Sequence, residues 1–343
     1  MSKKAVILFN LGGPDSNQAV KPFLFNLFSD KAIIDLPNPF RFLLARLISS
    51  RRAPIAMEIY EHLGGKSPIL EETESQKKLL EEKLNSKNED EYKVFVVMRY
   101  WRPFAKDVVG DVKKYNPDEV ILLPLYPQFS TATSESSIKE WNDNAKKAGL
   151  TAPVKTICCY PQQKDFIDSH VNLLKKACEK LSDIKNSRIL FSAHGLPKRV
   201  IDKGDPYQYQ INLTAESIMK KMDIDIDWNV CYQSKVGRLE WIGPSTDSEI
   251  ERAAKDGVAI IIIPIAFVSE HSETLVELDI EYKELADNKG VKEYIRVATL
   301  SADSCFIKSL ADICLNSGEV GKICANDNSR ICPKQFGRCI ADN

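Results

Sequence analysis

The 343-residue chain has no excess of either charge and little histidine or cysteine, and it contains no hydrophobic run of membrane-spanning length. Its 47 Lys and Arg stand against 48 Asp and Glu, a formal net charge of −1. A nucleic-acid binder should show a basic surplus, so this balance of interspersed charges argues against such a partner. Nine cysteines are too sparse for a disulfide scaffold at this length. The longest apolar run, residues 258–268, falls short of the roughly 18 residues that a spanning helix needs. The opening MSKKAVILFNLGGPDS turns to glycine, proline and aspartate before any cleavage pattern, so the expected compartment is the reducing cytoplasm. Gly12-Gly13-Pro14 has neither the GxGxxG spacing nor a P-loop lysine, which removes a nucleotide loop. A Gly-x-Ser-x-Gly elbow is also missing.

With 43% apolar and 28% charged residues, the chain has the composition of a globular protein with ample core, not of a disordered one. At about 150 residues per domain the length corresponds to roughly two domains. Short apolar runs at 5–11, 92–98, 119–125, 156–159, 188–192, 258–267 and 295–300 predict strands. Their continuous hydrophobicity, without alternation, predicts burial on both faces and hence parallel sheets covered by helices. Helical periodicity marks 72–84, 166–181 and 248–256 between them. The reading is α/β, two doubly wound domains over 1–159 and 160–302. A helix at 303–320 is expected to pack back on the first domain, followed by a cysteine-containing tail at 321–343.

In open parallel sheets, ligands bind beyond the carboxyl ends of the strands. The residues there are Asn10 to Pro14, Arg99 to Trp101, Tyr126 to Ser130, His194 to Pro197 and Ser269 to Glu273. His194, immediately past a buried strand, reads equally as a core hydrogen-bonder or as a base or metal ligand. His271 carries the same two readings, His170 reads as structural or surface, and His62 as a helix-end residue. Glu273, Glu277 and Glu281 repeat every four residues, which predicts three carboxylates along one helix face. They form either a solvated acidic face or a partly buried ladder that passes protons or a cation; imidazole with carboxylate suits ions such as Fe²⁺ or Zn²⁺. Arg51 and Arg52 beside the apolar 40–48 and 23–28 segments read either as a lip for a flat carboxylate-bearing ligand or as ordinary amphipathic helices. Cys324, Cys332 and Cys339 in the tail read either as part of a metal or iron–sulfur site or as unligated thiols.

The blocks Asn10-Leu11-Gly12-Gly13-Pro14, Arg51-Arg52-Ala53-Pro54, Gly64-Gly65-Lys66-Ser67-Pro68-Ile69 and Met98-Arg99-Tyr100-Trp101 occur in order with Tyr126-Pro127-Gln128-Phe129-Ser130 and Ser192-Ala193-His194-Gly195-Leu196-Pro197. They continue with Gly204-Asp205-Pro206-Tyr207, Cys231-Tyr232-Gln233-Ser234-Lys235-Val236-Gly237, Trp241-Ile242-Gly243-Pro244 and the acidic 270–282 segment. Together, from about residue 6 to about residue 315, they resemble the ferrochelatases, bacterial type. The resemblance implies two Rossmann-like domains of the chelatase kind with the active-site cleft between them. It also implies insertion of Fe²⁺ into protoporphyrin IX, giving protohaem and two protons, the final step of haem synthesis.

By the same resemblance, His194 corresponds to the family's active-site histidine, as metal ligand or as base. Glu273 corresponds to the carboxylate facing it across the porphyrin, and Glu277 and Glu281 to a relay for protons or metal. Leu11, Arg51, Arg52, Tyr60, Ser67, Arg99, Tyr100 and Trp241 match porphyrin-binding positions, and the 23–28 stretch matches the apolar lip, which offers a peripheral contact with membrane lipid. Leu11 departs from the methionine of animal members. Thr131 stands where animal members place a cluster cysteine, so a [2Fe–2S] cluster here would need Cys324, Cys332 and Cys339 in a different ligation. Two other readings compete with the main one: iron insertion into coproporphyrin III, and a porphyrin or haem carrier without chemistry.

Overall fold

The computed structural model describes residues 2–86, 89–237, 239–325 and 329–341, with the side chain of Cys324 outside the description. The chain divides into two compact units. The first comprises Met1–Cys159, Leu310–Ile331 and Ile340–Asn343; the second comprises Tyr160–Ser309 and Cys332–Cys339.

In the first unit, β1 (Lys3–Asn10), α1 (Asn17–Ser29), α2 (Phe40–Glu61), α3 (Ile69–Asn85), β2 (Glu91–Met98), α4 (Ala105–Tyr115), β3 (Glu119–Pro124), α5 (Ser136–Ala148) and β4 (Val154–Cys159) follow in order. A wide π-turn over Thr131–Glu135 leads into α5. Residues 5–9 of β1 are completely buried, which is why their sequence is apolar without interruption.

The second unit runs α6 (Lys164–Cys178), β5 (Ser187–His194), α7 (Lys198–Asp202), α8 (Tyr207–Met222), β6 (Asp227–Gln233), α9 (Thr246–Asp256), β7 (Ala259–Pro264), α10 (Ser272–Leu275), α11 (Tyr282–Lys289) and β8 (Tyr294–Arg296). The boundary between the units falls within α12 (Ser304–Leu315), and β9 (Ile323–Ala325) adds an edge strand to the first sheet.

All strand pairs are parallel. The sheet orders are β2-β1-β3-β4-β9 in the first unit and β6-β5-β7-β8 in the second. Counting strands from the start of each unit, both sheets begin with the order 2-1-3-4, a relation between the halves that no shared motif announces. This order reverses the chain's direction of travel at the first strand, so each unit has a switch point at the carboxyl end of that strand: Asn10 in the first, His194 in the second.

Three expectations change. A strand at Asp227–Gln233 was not predicted, because this edge strand opens with polar, partly exposed residues. The 295–300 run forms only the three-residue strand Tyr294–Arg296, and β9 is equally short. The acidic segment is not one regular helix: after α10, a π-turn spans Glu277–Glu281, with Glu281 N–H bonded to the Val276 carbonyl at 3.0 Å, five residues back.

Candidate active site

His194 is the last residue of β5, paired in register with Gln233, the last of β6. Its side chain keeps 36% exposure, and that of Glu273 27%, so both reach the surface of the second unit and remain open to a ligand. The His194 Nδ1 atom lies 2.9 Å from Glu273 Oε2, a direct contact that leaves no space for a porphyrin between them, unlike the placement across the porphyrin that the resemblance implies. The His194 carbonyl accepts the Tyr207 hydroxyl at 3.1 Å, fixing the backbone from which the imidazole projects. Gly195 suits the next position: a Cβ there would come within a tight 3.0 Å of the Gln233 carbonyl and 3.1 Å of Trp241 Cε3. Trp241 therefore sits against the turn after His194, its indole N–H donated to the Val236 carbonyl at 3.1 Å.

Gln233 ties the site together. Its Oε1 accepts the Ser192 hydroxyl at 2.7 Å, while Nε2 donates to the Glu273 carbonyl at 2.8 Å and to Glu277 Oε2 at 2.9 Å. Ser234 adds its backbone N–H to Glu277 Oε1 at 2.7 Å and its hydroxyl to Oε2 at 2.6 Å. It does so from a left-handed backbone, φ +63°, which aims both donors at the same carboxylate. The Tyr282 hydroxyl reaches Glu277 Oε1 at 3.2 Å. His271 is buried, with Nδ1 3.0 Å from the Ser269 carbonyl and Nε2 3.9 Å from Glu273 Oε2. Glu281, the last residue of the π-turn, is exposed.

The charges are staggered. Burial pulls the His194 imidazolium down, but the Glu273 carboxylate outweighs it, so the imidazole pKa is raised. Burial pushes Glu273 up, and the charge and hydrogen bond of His194, with His271 behind, hold it far below the usual carboxylate range. Glu277 is raised by burial and by the Glu273 charge, with Ser234 and Gln233 offsetting part. One carboxylate is thus strongly held as an anion, and its neighbour is the readier proton acceptor.

Several of the first unit's candidate residues lie at its own switch point, where the Arg99 and Tyr100 N–H groups donate to the Asn10 and Leu11 carbonyls. Gly12 adopts φ +81°, and a Cβ on Gly13 would fall 2.5 Å from Ser67, so Ser67 packs directly on the turn after β1. Arg99 and Tyr100 follow β2 and converge on Asp30, the residue ending α1. Asp30 Oδ2 accepts from Arg99 Nη2 at 2.7 Å, from the Tyr100 hydroxyl at 2.9 Å and from the Ser136 hydroxyl at 2.6 Å. Arg99 also donates to Glu140 at 3.0 Å. Burial opposes the Asp30 charge, but Arg99 and the hydroxyl donors win, and its carboxyl is lowered. Tyr60 and Tyr100 are buried with Val20, Phe23, Leu24 and Ala53, with Leu11 packed alongside. Arg51 and Arg52 are exposed, Arg52 lying over the Phe28 ring at 5.8 Å. The 23–28 stretch therefore divides, with Phe23 and Leu24 in the core and its other residues partly exposed.

His62 is exposed at the end of α2. His170 is fully buried edge-on against Phe166 at 4.8 Å, which decides for its structural reading. In the tail, Cys332 and Cys339 are buried, and the Cys332 sulfur accepts the Gln210 amide at 3.1 Å. The side chain of Cys324 lies outside the described residues. Among the described residues, no group of three or more His, Cys, Asp or Glu is arranged to hold a metal ion.

Gln233, Ser234, Tyr282 and Asp30 had no predicted role. Gln233 ends β6 and Ser234 follows it, so the rule of looking at strand ends would have found them had that strand been recognised.

A model of the family described as Ferrochelatase matches residues 3–317. The chain is 57% identical over 315 residues to the ferrochelatase of Wolbachia sp. subsp. Drosophila simulans (strain wRi), covering 92% of this chain and 99% of that protein. It is 52% identical over 341 residues to the ferrochelatase of Pelagibacter ubique (strain HTCC1062), covering 98% of each. Among solved structures, SirB from Bacillus subtilis with Fe3+ aligns with a TM-score of 0.50 at 10% identity, over 92% of this chain and 95% of that one, a likeness of fold alone. The chain belongs to the ferrochelatase family, metal chelatases and hence lyases, which insert ferrous iron into a porphyrin in haem synthesis.

Proposed function

We propose that this chain inserts Fe²⁺ into protoporphyrin IX, with His194 and Glu273 as the reacting pair and Glu277 next in the proton path. The observation that carries this reading is the 2.9 Å contact between His194 Nδ1 and Glu273 Oε2 at the switch point of the second sheet. Insertion balances as porphyrin with two pyrrole N–H groups plus Fe²⁺ giving the iron porphyrin plus two protons. With Nδ1–H donated to Glu273, the His194 Nε2 lone pair is free to accept a pyrrole proton, and the carboxylate stabilises the imidazolium that forms. Glu277, raised in pKa beside it, is the next acceptor. The negative charge of Glu273 also favours the incoming cation.

In this reading Leu11, Arg51, Arg52, Ser67, Arg99 and Trp241 supply porphyrin contacts. The exposed guanidinium groups of Arg51 and Arg52 suit propionates. The buried Tyr60 and Tyr100 act by shaping the wall, not by reaching the ligand. Glu281, being exposed, serves as the outer end of the relay.

Among the described residues no helix is long and apolar enough to cross a membrane. A peripheral contact from the cytoplasmic side is supported by α2, where Phe40, Leu43, Leu47 and Ile55 are exposed beside Arg41, Arg46, Arg51 and Arg52. A [2Fe–2S] cluster with Cys324, Cys332 and Cys339 as ligands rests on their spacing in the tail; Cys332 and Cys339 are buried, and among the described residues no group of three or more candidate ligands is arranged for a metal ion. Visible absorbance of anaerobically purified protein decides its presence.

Anaerobic turnover with Fe²⁺ tests the reading. It predicts insertion into protoporphyrin IX faster than into coproporphyrin III. Faster use of coproporphyrin III would change the substrate, and tight porphyrin binding without turnover would make the chain a carrier.

A further inference from the structure

The acidic segment is held from two sides, and only one of them, the Gln233–Ser234 end of β6, belongs to the site described above. The other is the short edge strand β8. Arg296 donates Nε to Asp279 Oδ1 at 2.7 Å and Nη2 to Asp279 Oδ2 at 2.5 Å, a two-pronged grip on a residue inside the π-turn. Its Nη1 reaches back to Glu270 Oε1 at 2.6 Å, just before α10, and Glu270 also accepts the Thr299 backbone N–H at 3.0 Å. Two residues earlier on β8, Tyr294 donates its hydroxyl to the Leu278 carbonyl at 2.7 Å. β8 is itself fixed in register on β7, with Tyr294 opposite Ile260 and Arg296 opposite Ile262. A single guanidinium thus spans the segment from residue 270 to residue 279, with Glu273 and Glu277 between its two anchors.

This placement matters because a regular helix would send the carboxylates elsewhere. In the π-turn the Glu281 N–H bonds to Val276, and the chain around 277–281 is wider than an α-helix. Such a turn has poorer internal geometry and persists where outside contacts hold it. Tyr294 and Arg296 bind a carbonyl and a side chain of that turn.

We propose that Arg296 and Tyr294 are positioning residues for iron insertion: from β8 they hold the wide turn that presents Glu277, and with it Glu273, to His194. The inference rests on the reading of His194, Glu273 and Glu277 given above. The polar partners of both β8 side chains are in the acidic segment and its neighbours, so their effect is on the delivery of iron and removal of protons and not on porphyrin affinity.

The test compares Arg296→Met, Arg296→Lys, Tyr294→Phe and Asp279→Asn with wild type and with His194→Ala in full-length protein. Anaerobic kcat and KM are measured for Fe²⁺ and for protoporphyrin IX separately, alongside melting temperature. Arg296→Met is expected to lower kcat/KM for Fe²⁺ about tenfold and Arg296→Lys about threefold, as for the removal of groups that orient a metal's partners. Tyr294→Phe is expected to lower it about twofold, and porphyrin KM stays within about twofold of wild type throughout. Adding Asp279→Asn to Arg296→Met should cost little more, since the two share one contact. If His194→Ala loses turnover while Arg296→Lys and Tyr294→Phe keep wild-type constants and merely melt earlier, β8 is only structural and the proposal fails. The Tyr294→Phe and Arg296→Lys variants, being close in shape, decide the matter even if Arg296→Met does not fold. Full turnover in His194→Ala would overturn the underlying reading of the site instead.

Discussion

Gln233 Nε2 bonds both to the carbonyl of Glu273 and to the carboxylate of Glu277, so one amide at the end of β6 sets the spacing of two acidic residues four positions apart. Its Oε1 is occupied by the Ser192 hydroxyl of β5, two residues before His194. The amide orientation is thereby fixed from three sides. Replacing Gln233 by Leu leaves the Ser192 hydroxyl, the Glu273 carbonyl and one Glu277 oxygen without this partner. Urea unfolding should show a loss of about 1–3 kcal/mol, the usual consequence of unpaired buried polar groups. Turnover should fall with it, whereas Gln233→Leu with wild-type stability and rate would remove the amide from the account.

The contact between His194 and Glu273 makes a prediction about protonation. The imidazole pKa is raised because the Glu273 carboxylate outweighs burial. Glu273→Gln removes that charge and leaves burial, so the His194 pKa should drop below the wild-type value in an NMR titration of the ring. The stability from this pair is complete below the ordinary imidazole value of about 6.5 and is lost as pH rises through the raised folded value. An unchanged His194 titration in Glu273→Gln would contradict this.

Asp30 makes the opposite case in the first unit. Its carboxyl is lowered, with Arg99, Ser136 and Tyr100 overcoming burial. Its contribution is complete above the ordinary aspartate value of about 3.9 and disappears as pH falls through the lower folded value. Asp30→Asn should destabilise by about 3 kcal/mol at neutral pH, because it leaves Arg99 partly buried with one partner removed. The gap between wild type and variant should narrow below about pH 4. A gap independent of pH would mean that the Asp30 charge is not what matters.

His170 supplies a control outside the site. Burial lowers its pKa to about 3, so the folded protein keeps it neutral where an unfolded chain protonates it. Stability from this residue is therefore full above about pH 6.5 and falls as pH drops toward about 3, at up to about 1.4 kcal/mol per pH unit. His170→Phe should flatten the dependence of urea midpoint on pH in that window and leave turnover at neutral pH intact.

The fold class was legible because the central strands of both sheets are buried on both faces, and only uninterrupted apolar residues suit that position. The run at 258–267 and the residues 5–9 show this most plainly. β6 escaped because an edge strand that begins Asp227-Trp228-Asn229 has no such requirement. That omission hid Gln233 and Ser234, whose importance lies in where a strand ends and not in their residue types. His194 and Glu273 stood out since imidazole and carboxylate beyond strand ends are few. The predicted ladder of Glu273, Glu277 and Glu281 assumed a pitch of 3.6 residues per turn, whereas a π-turn spans Glu277–Glu281 and Glu281 is exposed. Asp30 gave no signal at all, since a lone aspartate at a helix end is commonplace and its partners lie about 70 and 106 residues away.

The central claim is that iron insertion depends on His194 acting with Glu273. It is tested most directly by anaerobic Fe²⁺ insertion into protoporphyrin IX, followed by absorbance, for wild type, His194→Ala and Glu273→Gln, with porphyrin binding measured in parallel. The account predicts turnover by wild type and its loss in both variants while porphyrin binding persists. Near-normal turnover in either variant would contradict it.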